Sequence, residues 1–236
     1  MAIYALSDLH GELNIWNQIK NFLQEDDVLV FLGDAVDRGP QPIKLLQELL
    51  NDDRVVFCTG NHEQLLIDTY EDRHTKKPSP LYFKDGGKVT WDAFQKLSDE
   101  TQEKLIETLK ELPFEAYYIN IKGETIHLSH SGYTPSSRIN RKTETKWEQY
   151  LRCVENRKHI EDIGWDWNKK ENDIIVVHGH TPTGVLDVNY CGKVLKYCYG
   201  HKINIDTGAT FCGVAALLNL DTLEPIYFYK EYFDLD

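Results

Sequence analysis

The chain has 236 residues, of which 41% are hydrophobic and 27% charged, a composition typical of one globular domain with a large buried core. Its formal net charge of -12 at pH 7 argues against a nucleic-acid backbone as the main partner, because such backbones bind clustered Lys and Arg. A small phosphorylated substrate is compatible with this charge, since a bound cation can invert the sign of a local site.

The cysteines and the N-terminal residues indicate the compartment. The five cysteines are an odd number and show no Cys-x-x-Cys spacing, so we expect reduced thiols and neither a disulfide framework nor a zinc knuckle. The N-terminal residues lack the basic start and the apolar run of a signal peptide. No stretch has the ~18 apolar residues that a membrane-spanning helix needs. We therefore expect a cytoplasmic protein without a membrane partner.

Three strands, each followed by a helix, are predicted in the first seventy residues. The strands are the apolar runs at 3–6, 27–32 and 54–58, which are short and of the kind buried on both faces in a parallel sheet. The carboxyl ends of parallel strands meet at one edge of the sheet, and sites are built at that edge. We therefore expect the polar residues that end these strands to lie side by side: Asp8, Asp34 and Asn61.

A helical insertion is predicted over residues 70–112, beside this sheet edge. One helix is expected at 89–97. A second is expected to open on a capping box at 99–102 and to end at Pro113.

The second half of the chain is predicted to be rich in strands. Alternating residues on both sides of Lys122-Gly123 indicate a hairpin. Residues 133–172 are polar and are expected to form a variable segment that borders the site. A buried strand at 173–177 is followed by several short strands, and we expect a single domain over residues 1–236.

Five predicted strand ends carry carboxylate, imidazole or amide groups after runs of aliphatic residues. An ionised Asp in a sheet crevice is costly unless it is paired or bound to a metal. Carboxylate, imidazole and amide ligands without thiolates suit Mn, Fe or Zn. We therefore predict a metal site from six residues: Asp8, His10, Asp34, Asn61, His130 and His180.

The motifs at these strand ends resemble those of the calcineurin-like metallophosphoesterases, and within them the phosphoprotein phosphatase branch with its small bacterial and phage serine/threonine phosphatases. The resemblance covers essentially the whole chain. It implies an α/β fold, in which two mixed β-sheets pack face to face and are flanked by helices. The motifs that carry it are Asp8-x-His10-Gly, Gly33-Asp-x-x-Asp37-Arg38-Gly, Gly60-Asn-His-Glu63, His130 before a Gly, Gly179-His180-Thr, Gly86-Gly87-x-x-Thr90, Leu112-Pro113 and Ile205-Asp206-Thr207-Gly208-Ala209.

The resemblance implies two divalent metal ions, with Mn favoured and Fe or Zn as alternatives. Asp8 and His10 are expected to hold one ion and Asp34 to bridge both. Two such cations lower the pKa of a bridging water and activate it for in-line attack on phosphorus. The second ion is expected on Asn61, His130 and His180.

The resemblance also implies the groups that act on the phosphoryl ester. His62 is expected to be the general acid that protonates the leaving oxygen, and Asp37 to fix the tautomer of its ring. Arg38 is expected to bind phosphate oxygens with its planar guanidinium, and Asn61 to lie beside the phosphate.

A second phosphate-binding arginine is expected between His130 and His180. Arg152 is our choice by its spacing and by the aromatic Tyr150 two residues before it. The alternatives in the same segment are Arg138, Arg141 and Arg157.

The favoured function is hydrolysis of phosphoserine or phosphothreonine in proteins, with phosphotyrosine as a further possible substrate. The alternative is a symmetrical dinucleoside tetraphosphate (Ap4A) hydrolase, whose relatives share the first three motifs. Less favoured is a non-catalytic scaffold on the same fold, because such a scaffold is expected to lose metal ligands or His62. The sequence does not assign an oligomeric state.

Overall fold

The computed structural model describes residues 1–73, 80–134, 143–161 and 174–231. The first sheet has the order β10-β9-β1-β2-β3. Strands β1, β2 and β3, the first three in the chain, are parallel, as predicted. Strand β9 runs antiparallel to β1. Its strands are β1 (Ile3–Leu6), β2 (Val28–Phe31), β3 (Val55–Phe57), β9 (Val214–Asn219) and β10 (Pro225–Tyr229).

The second sheet has the order β4-β5-β6-β8-β7. Its central strands β5, β6 and β8 are parallel. The predicted hairpin is present, because β4 and β5 pair antiparallel from Glu115 opposite Ser129 to Ile119 opposite Thr125. The strands are β4 (Glu115–Ile119), β5 (Thr125–Ser129), β6 (Ile174–His178), β7 (Leu195–Tyr197) and β8 (Lys202–Asn204).

Helices follow each of the first three strands, as the sequence predicts, and several more lie in the described part of residues 70–161. The helix expected at 89–97 is shorter. The next helix is capped by Ser98, whose hydroxyl accepts a hydrogen bond from the Thr101 amide (3.3 Å), and not by a box opening at Asp99. The helices are α1 (Leu13–Phe22), α2 (Pro42–Leu50), α3 (Asn61–Asp72), α4 (Pro80–Tyr82), α5 (Lys88–Phe94), α6 (Asp99–Glu111), α7 (Lys146–Cys153), α8 (Arg157–Glu161) and α9 (Thr183–Leu186).

Two apolar cores hold these layers together. Between the sheets, Ala5 and Val30 of the first sheet pack with Ile126 and Val177 of the second. On the other face of the first sheet, side chains of α1, α2, α3, α5 and α6 pack around residues such as Phe31. Each sheet therefore has one face on the other sheet, and the first sheet has helices on its outer face. This confirms the α/β sandwich.

The expectation of five reduced thiols is wrong for one pair, because Cys191 and Cys212 form a disulfide. The two residues are 21 positions apart, and their Cα atoms lie 6.5 Å apart, within the usual range for a disulfide. Sequence spacing could not show this, since a turn after β8 and a loop before β7 bring the two cysteines together. Across the described ranges, no helix has the length and apolarity needed to cross a bilayer.

Candidate metal centre

The loops after β1 and β2 are joined by backbone hydrogen bonds, which place their side chains at one sheet edge. The Asp8 amide donates to Gly33 O (3.0 Å), and the His10 amide donates to Asp34 O (2.9 Å). The loop after β3 approaches just as closely, because a Cβ at Gly60 would collide with the Asp34 carboxylate. The side chains that end the three strands therefore converge, as the parallel order predicts.

Many residues of this edge have left-handed backbone conformations. Among the described residues, nine non-glycine residues have a positive φ, and six of these belong to the predicted site. A residue held in this region costs of order 1–3 kcal/mol and persists only where its surroundings fix it. These strained conformations lower the stability of the fold, and they orient the six side chains toward the site. The six are Asp8, His10, Asp34, Asp37, Arg38 and His180.

Asp34 lies between two groups of possible metal ligands. Its carboxylate shares one group with His10 and His62 and another with His130 and His180, and within each group the ligand atoms lie within 4.8 Å of one another. The side chain of Asp34 is 2% exposed. Burial acts to raise the pKa of Asp34, but the charges of His130, His62 and His10 outweigh it and lower the pKa. This carboxylate can contact two cations at once.

The donor set around His130 fits a metal ion. Nδ1 of His130 lies 2.8 Å from Leu32 O, so it carries the ring proton and leaves a lone pair on Nε2. That Nε2 faces Oδ1 of Asn61 at 2.9 Å and Oδ2 of Asp34 at 3.4 Å. A cation placed between them would be bound by this lone pair and by both oxygens. Nδ1 of His180 completes the group, 3.0 Å from Nε2 of His130.

His10 presents the same arrangement on the other side of Asp34. Nδ1 of His10 lies 2.8 Å from Val36 O, which leaves the Nε2 lone pair facing the site. Oδ2 of Asp34 is 3.6 Å from this nitrogen, and Oδ1 of Asp8 is 4.0 Å from it. Burial raises the pKa of Asp8 to about 6, which shows how strongly an anion here depends on a nearby cation.

His62 belongs to the group on the His10 side of Asp34, and its ring is held by Asp37. Its Nδ1 is 2.5 Å from Oδ2 of Asp37, and Nε2 faces the site, 3.9 Å from Oδ2 of Asp34. Asp37 is itself fixed, because its amide donates to Thr90 Oγ1 (2.8 Å) and its Oδ1 accepts from the Tyr82 hydroxyl (3.2 Å). Burial acts to lower the pKa of His62, but the charges of Asp34 and Asp37 and the hydrogen bond that its ring donates to Asp37 raise it to about 9.

Arg38 covers the mouth of the site. Its Nη1 lies 2.5 Å from Nε2 of His10, and its Nη2 lies 2.9 Å from Nε2 of His62. The ring of Phe211 is next to the guanidinium, with its centroid 5.7 Å from Cζ. The guanidinium therefore lies over the site-facing nitrogens of the two imidazoles.

Arg152, which the sequence predicts as the second phosphate-binding arginine, lies between two carboxylates. Four N–H···O contacts of 2.8, 2.9, 3.0 and 3.0 Å join its guanidinium to Glu115 and Glu144, and Arg152 is 6% exposed. Two buried carboxylates satisfy this fork, so it is not available to a phosphate. Arg138 and Arg141 lie outside the described residues.

Arg157 is the remaining alternative of the four. It begins α8 and is exposed, and its positive charge acts on His180, a predicted metal ligand. Burial lowers the pKa of His180, and the charges of His130 and Arg157 lower it further.

His178 is directed away from the site, because its Nε2 lies 2.7 Å from the hydroxyl of Tyr197. His180 is therefore the histidine of its motif that faces the site.

Sequence reasoning assigned no role to Glu63, which orients the Asp34 loop. Its carboxylate accepts hydrogen bonds from the amides of Asp34 (2.8 Å), Ala35 (2.8 Å) and Gly60 (3.0 Å). Burial and the charge of Asp34 raise its pKa to about 7. The sequence did contain a signal for this role. Gly60 precedes helix α3, and Glu63, three residues later, is at the position of the acid in a capping box.

Comparison with known proteins agrees with this geometry. The family model for calcineurin-like phosphoesterases matches residues 1–205. The chain belongs to the calcineurin-like phosphoesterases. It is a metal-dependent phosphoester hydrolase, and the sequence-based resemblance is confirmed.

Two curated relatives span most of this phosphoesterase. The asymmetrical bis(5'-nucleosyl)-tetraphosphatase PrpE of Oceanobacillus iheyensis is 27% identical over 89% of the chain and 85% of its own length. Serine/threonine-protein phosphatase 1 of Salmonella typhimurium is 25% identical over 92% and 91%. Among solved structures, a protein serine/threonine phosphatase of Saccharomyces cerevisiae matches with a TM-score of 0.63 at 14% identity, over all of this chain and 82% of that one. This last likeness shows the fold alone.

Proposed function

We propose that this phosphoesterase hydrolyses phosphomonoesters of serine and threonine in proteins. The observation that carries the proposal is the buried pair of His62 and Asp37, with Nδ1 and Oδ2 2.5 Å apart. A serine alkoxide is a poor leaving group and needs a proton as it departs. A nucleotide phosphate leaves without one, so a protonated imidazole at this place suits an alkyl ester best.

The proposed metals are two divalent cations, with Mn favoured. Asp8 and His10 would hold one, Asn61, His130 and His180 the other, and Asp34 both. Such a pair supplies Lewis acidity toward phosphoryl oxygens and a water of lowered pKa. The converging lone pairs around Asp34 support this assignment.

The side chains of the chain supply binding, orientation and a proton. Arg38 binds non-bridging phosphate oxygens and holds the ester in place. Arg157 is proposed as the second arginine, because it is exposed and its charge lowers the pKa of His180, while Arg152 is held by carboxylates. His62 donates its Nε2 proton to the leaving oxygen, and Asp37 keeps the ring oriented throughout.

Hydrolysis of a dinucleoside tetraphosphate is the second candidate. The specific observation in its favour is the tetraphosphatase relative that matches 89% of the chain. The metal ligands and Arg38 serve either substrate, so the site chemistry is shared.

The two candidates are separated by product analysis of the Mn-loaded protein. We expect phosphate release from a phosphoserine peptide at a higher kcat/KM than nucleotide release from diadenosine tetraphosphate. A clear preference for the dinucleotide would transfer the proposal to the second candidate, and its products would tell symmetrical cleavage (two ADP) from asymmetrical cleavage (ATP and AMP).

A further inference from the structure

The turn at Phe83–Gly87 brings one further carboxylate, that of Asp85, to the mouth of the site. Oδ1 of Asp85 accepts a hydrogen bond from Nη2 of Arg38 (3.2 Å), and its Oδ2 lies 3.6 Å from Nε2 of His62. These are the two groups assigned above to the phosphate and the leaving oxygen. The side chain of Asp85 is 56% exposed, so it faces both the site and the solvent.

The turn is anchored to Arg38 by its backbone. The Arg38 amide donates to Gly86 O (3.2 Å), and Gly86 has a φ of 100°, which favours glycine. A Cβ at Gly86 would lie 2.6 Å from Cγ of Arg38. Asp85 is therefore placed by a close backbone contact and not only by its own flexible side chain.

We propose that Asp85 determines specificity by selecting phosphopeptides with Lys or Arg next to the phosphorylated residue. This inference rests on the proposed phosphatase function. A phosphate that binds Arg38 must share the guanidinium with Asp85 or displace it. The carboxylate then faces whatever flanks the scissile ester, where it attracts cationic side chains and repels carboxylates and further phosphates.

The same charge acts against the second candidate substrate. A dinucleoside tetraphosphate carries three further phosphates next to the one that is attacked, and each brings negative charge toward Asp85. Because Asp85 is at the solvent boundary, the effect is moderate and is screened by salt.

The test compares wild type with Asp85→Asn on two phosphoserine peptides of equal length, one flanked by Lys and one by Glu. Wild type is expected to favour the Lys peptide in kcat/KM, and Asp85→Asn is expected to reduce that preference about five- to tenfold at low salt. Asp92→Asn is the matched control. It makes the same net-charge change on the same insertion, and Asp92 is 52% exposed and bonded to Lys88. It is expected to leave the preference unchanged.

Binding separates failure of this proposal from failure of the phosphatase function. The affinities of both peptides for the Mn-loaded protein, measured by fluorescence anisotropy, give the same preference without turnover. The role of Asp85 is overturned if the preference for the Lys peptide over the Glu peptide is the same in wild type and Asp85→Asn. This includes the case in which the substitution weakens both peptides by the same factor. Absence of hydrolysis with the charge preference still present in binding overturns the phosphatase function and leaves the role of Asp85 standing.

Discussion

Nδ1 of His62 lies 2.5 Å from Oδ2 of Asp37, and both side chains are almost fully buried. The other ring nitrogen of His62 faces Arg38, Asp34 and Asp85. One edge of the ring is thus fixed by a carboxylate while the other is turned to the substrate. This geometry suits the general acid proposed above, because Asp37 fixes the tautomer of the ring from the side opposite the site.

Replacement of His62 should affect substrates according to their leaving groups. We expect His62→Asn to lower kcat on an alkyl phosphate such as a phosphoserine peptide by about 10²–10⁴-fold. The loss on p-nitrophenyl phosphate should be much smaller, because nitrophenolate departs without a proton. Steady-state kinetics on both substrates measures the difference. Equal losses on both would contradict the acid role of His62.

Replacement of Asp34 should weaken both metal sites together, since its carboxylate lies in both groups of ligands. We expect Asp34→Asn to lose metal content from both sites after dialysis, as counted by elemental analysis of the purified protein. Asp8→Asn is the control, because the Asp8 carboxylate is proposed as a ligand of the ion on the His10 side alone, so this variant should keep one metal per chain. Two metals per chain in Asp34→Asn would show that Asp34 does not hold both.

Chelation should abolish turnover. We expect p-nitrophenyl phosphate hydrolysis to stop in EDTA and to return when Mn is added in excess, because the carboxylate and imidazole ligand atoms that converge around Asp34 suit a divalent cation. Thermal unfolding in the same buffers is the control for loss of structure. Activity that ignores both additions, in a protein free of metal by elemental analysis, would falsify the metal mechanism.

Arg152 and Arg157 should behave differently when each is replaced by Ala. Arg157→Ala is expected to raise KM for a phosphopeptide about tenfold with little change in Tm, because Arg157 is exposed and proposed to bind phosphate. Arg152→Ala is expected to lower Tm, because it leaves the buried Glu115 and Glu144 without their cation. Wild-type kinetics in Arg157→Ala would return the phosphate role to the arginines outside the described residues.

Much of the fold and of the metal centre could be predicted from the sequence. A parallel order of three strands is enough to bring Asp8, Asp34 and Asn61 to one edge, since each lies within a few residues of the carboxyl end of its own strand. Residue type then carries the chemistry, because carboxylate, amide and imidazole groups in that place suit few purposes besides a metal. Local pattern and topology were sufficient for these residues.

Contacts between distant segments were not predictable in this way. The carboxylates that hold Arg152 come from positions eight and 37 residues away. The disulfide joins a loop and a turn whose proximity depends on the second sheet. Asp85 reaches Arg38 only because Gly86 adopts a positive φ in the insertion. Each of these depends on tertiary packing, which single-sequence spacing does not contain.

The network around Glu115 gives a prediction for stability. Glu115 accepts from Arg152 and lies 2.8 Å from Nε2 of His127, and its side chain is 12% exposed. We expect Glu115→Gln to lower the free energy of unfolding by about 2 kcal/mol at pH 7, because it removes one of the two carboxylates that balance the buried Arg152 guanidinium and leaves only Glu144. Glu224→Gln is the control. Its partner is Lys196 and it is 74% exposed, so its effect should be well under about 1 kcal/mol.

The pH dependence of this difference has a definite sign. Burial acts to raise the pKa of Glu115, but hydrogen bonds from His127 and Arg152 outweigh it and lower the pKa well below its usual range. The unfolded chain therefore takes up a proton at a higher pH than the folded protein does. The stability that Glu115 contributes is complete above the ordinary Glu pKa of about 4.3 and declines as the pH falls below it. Urea unfolding of wild type and Glu115→Gln between pH 7 and pH 3 should show their difference shrinking only below about pH 4.3. A difference that stays constant over this range would mean that Glu115 is not held as an anion by Arg152 and His127.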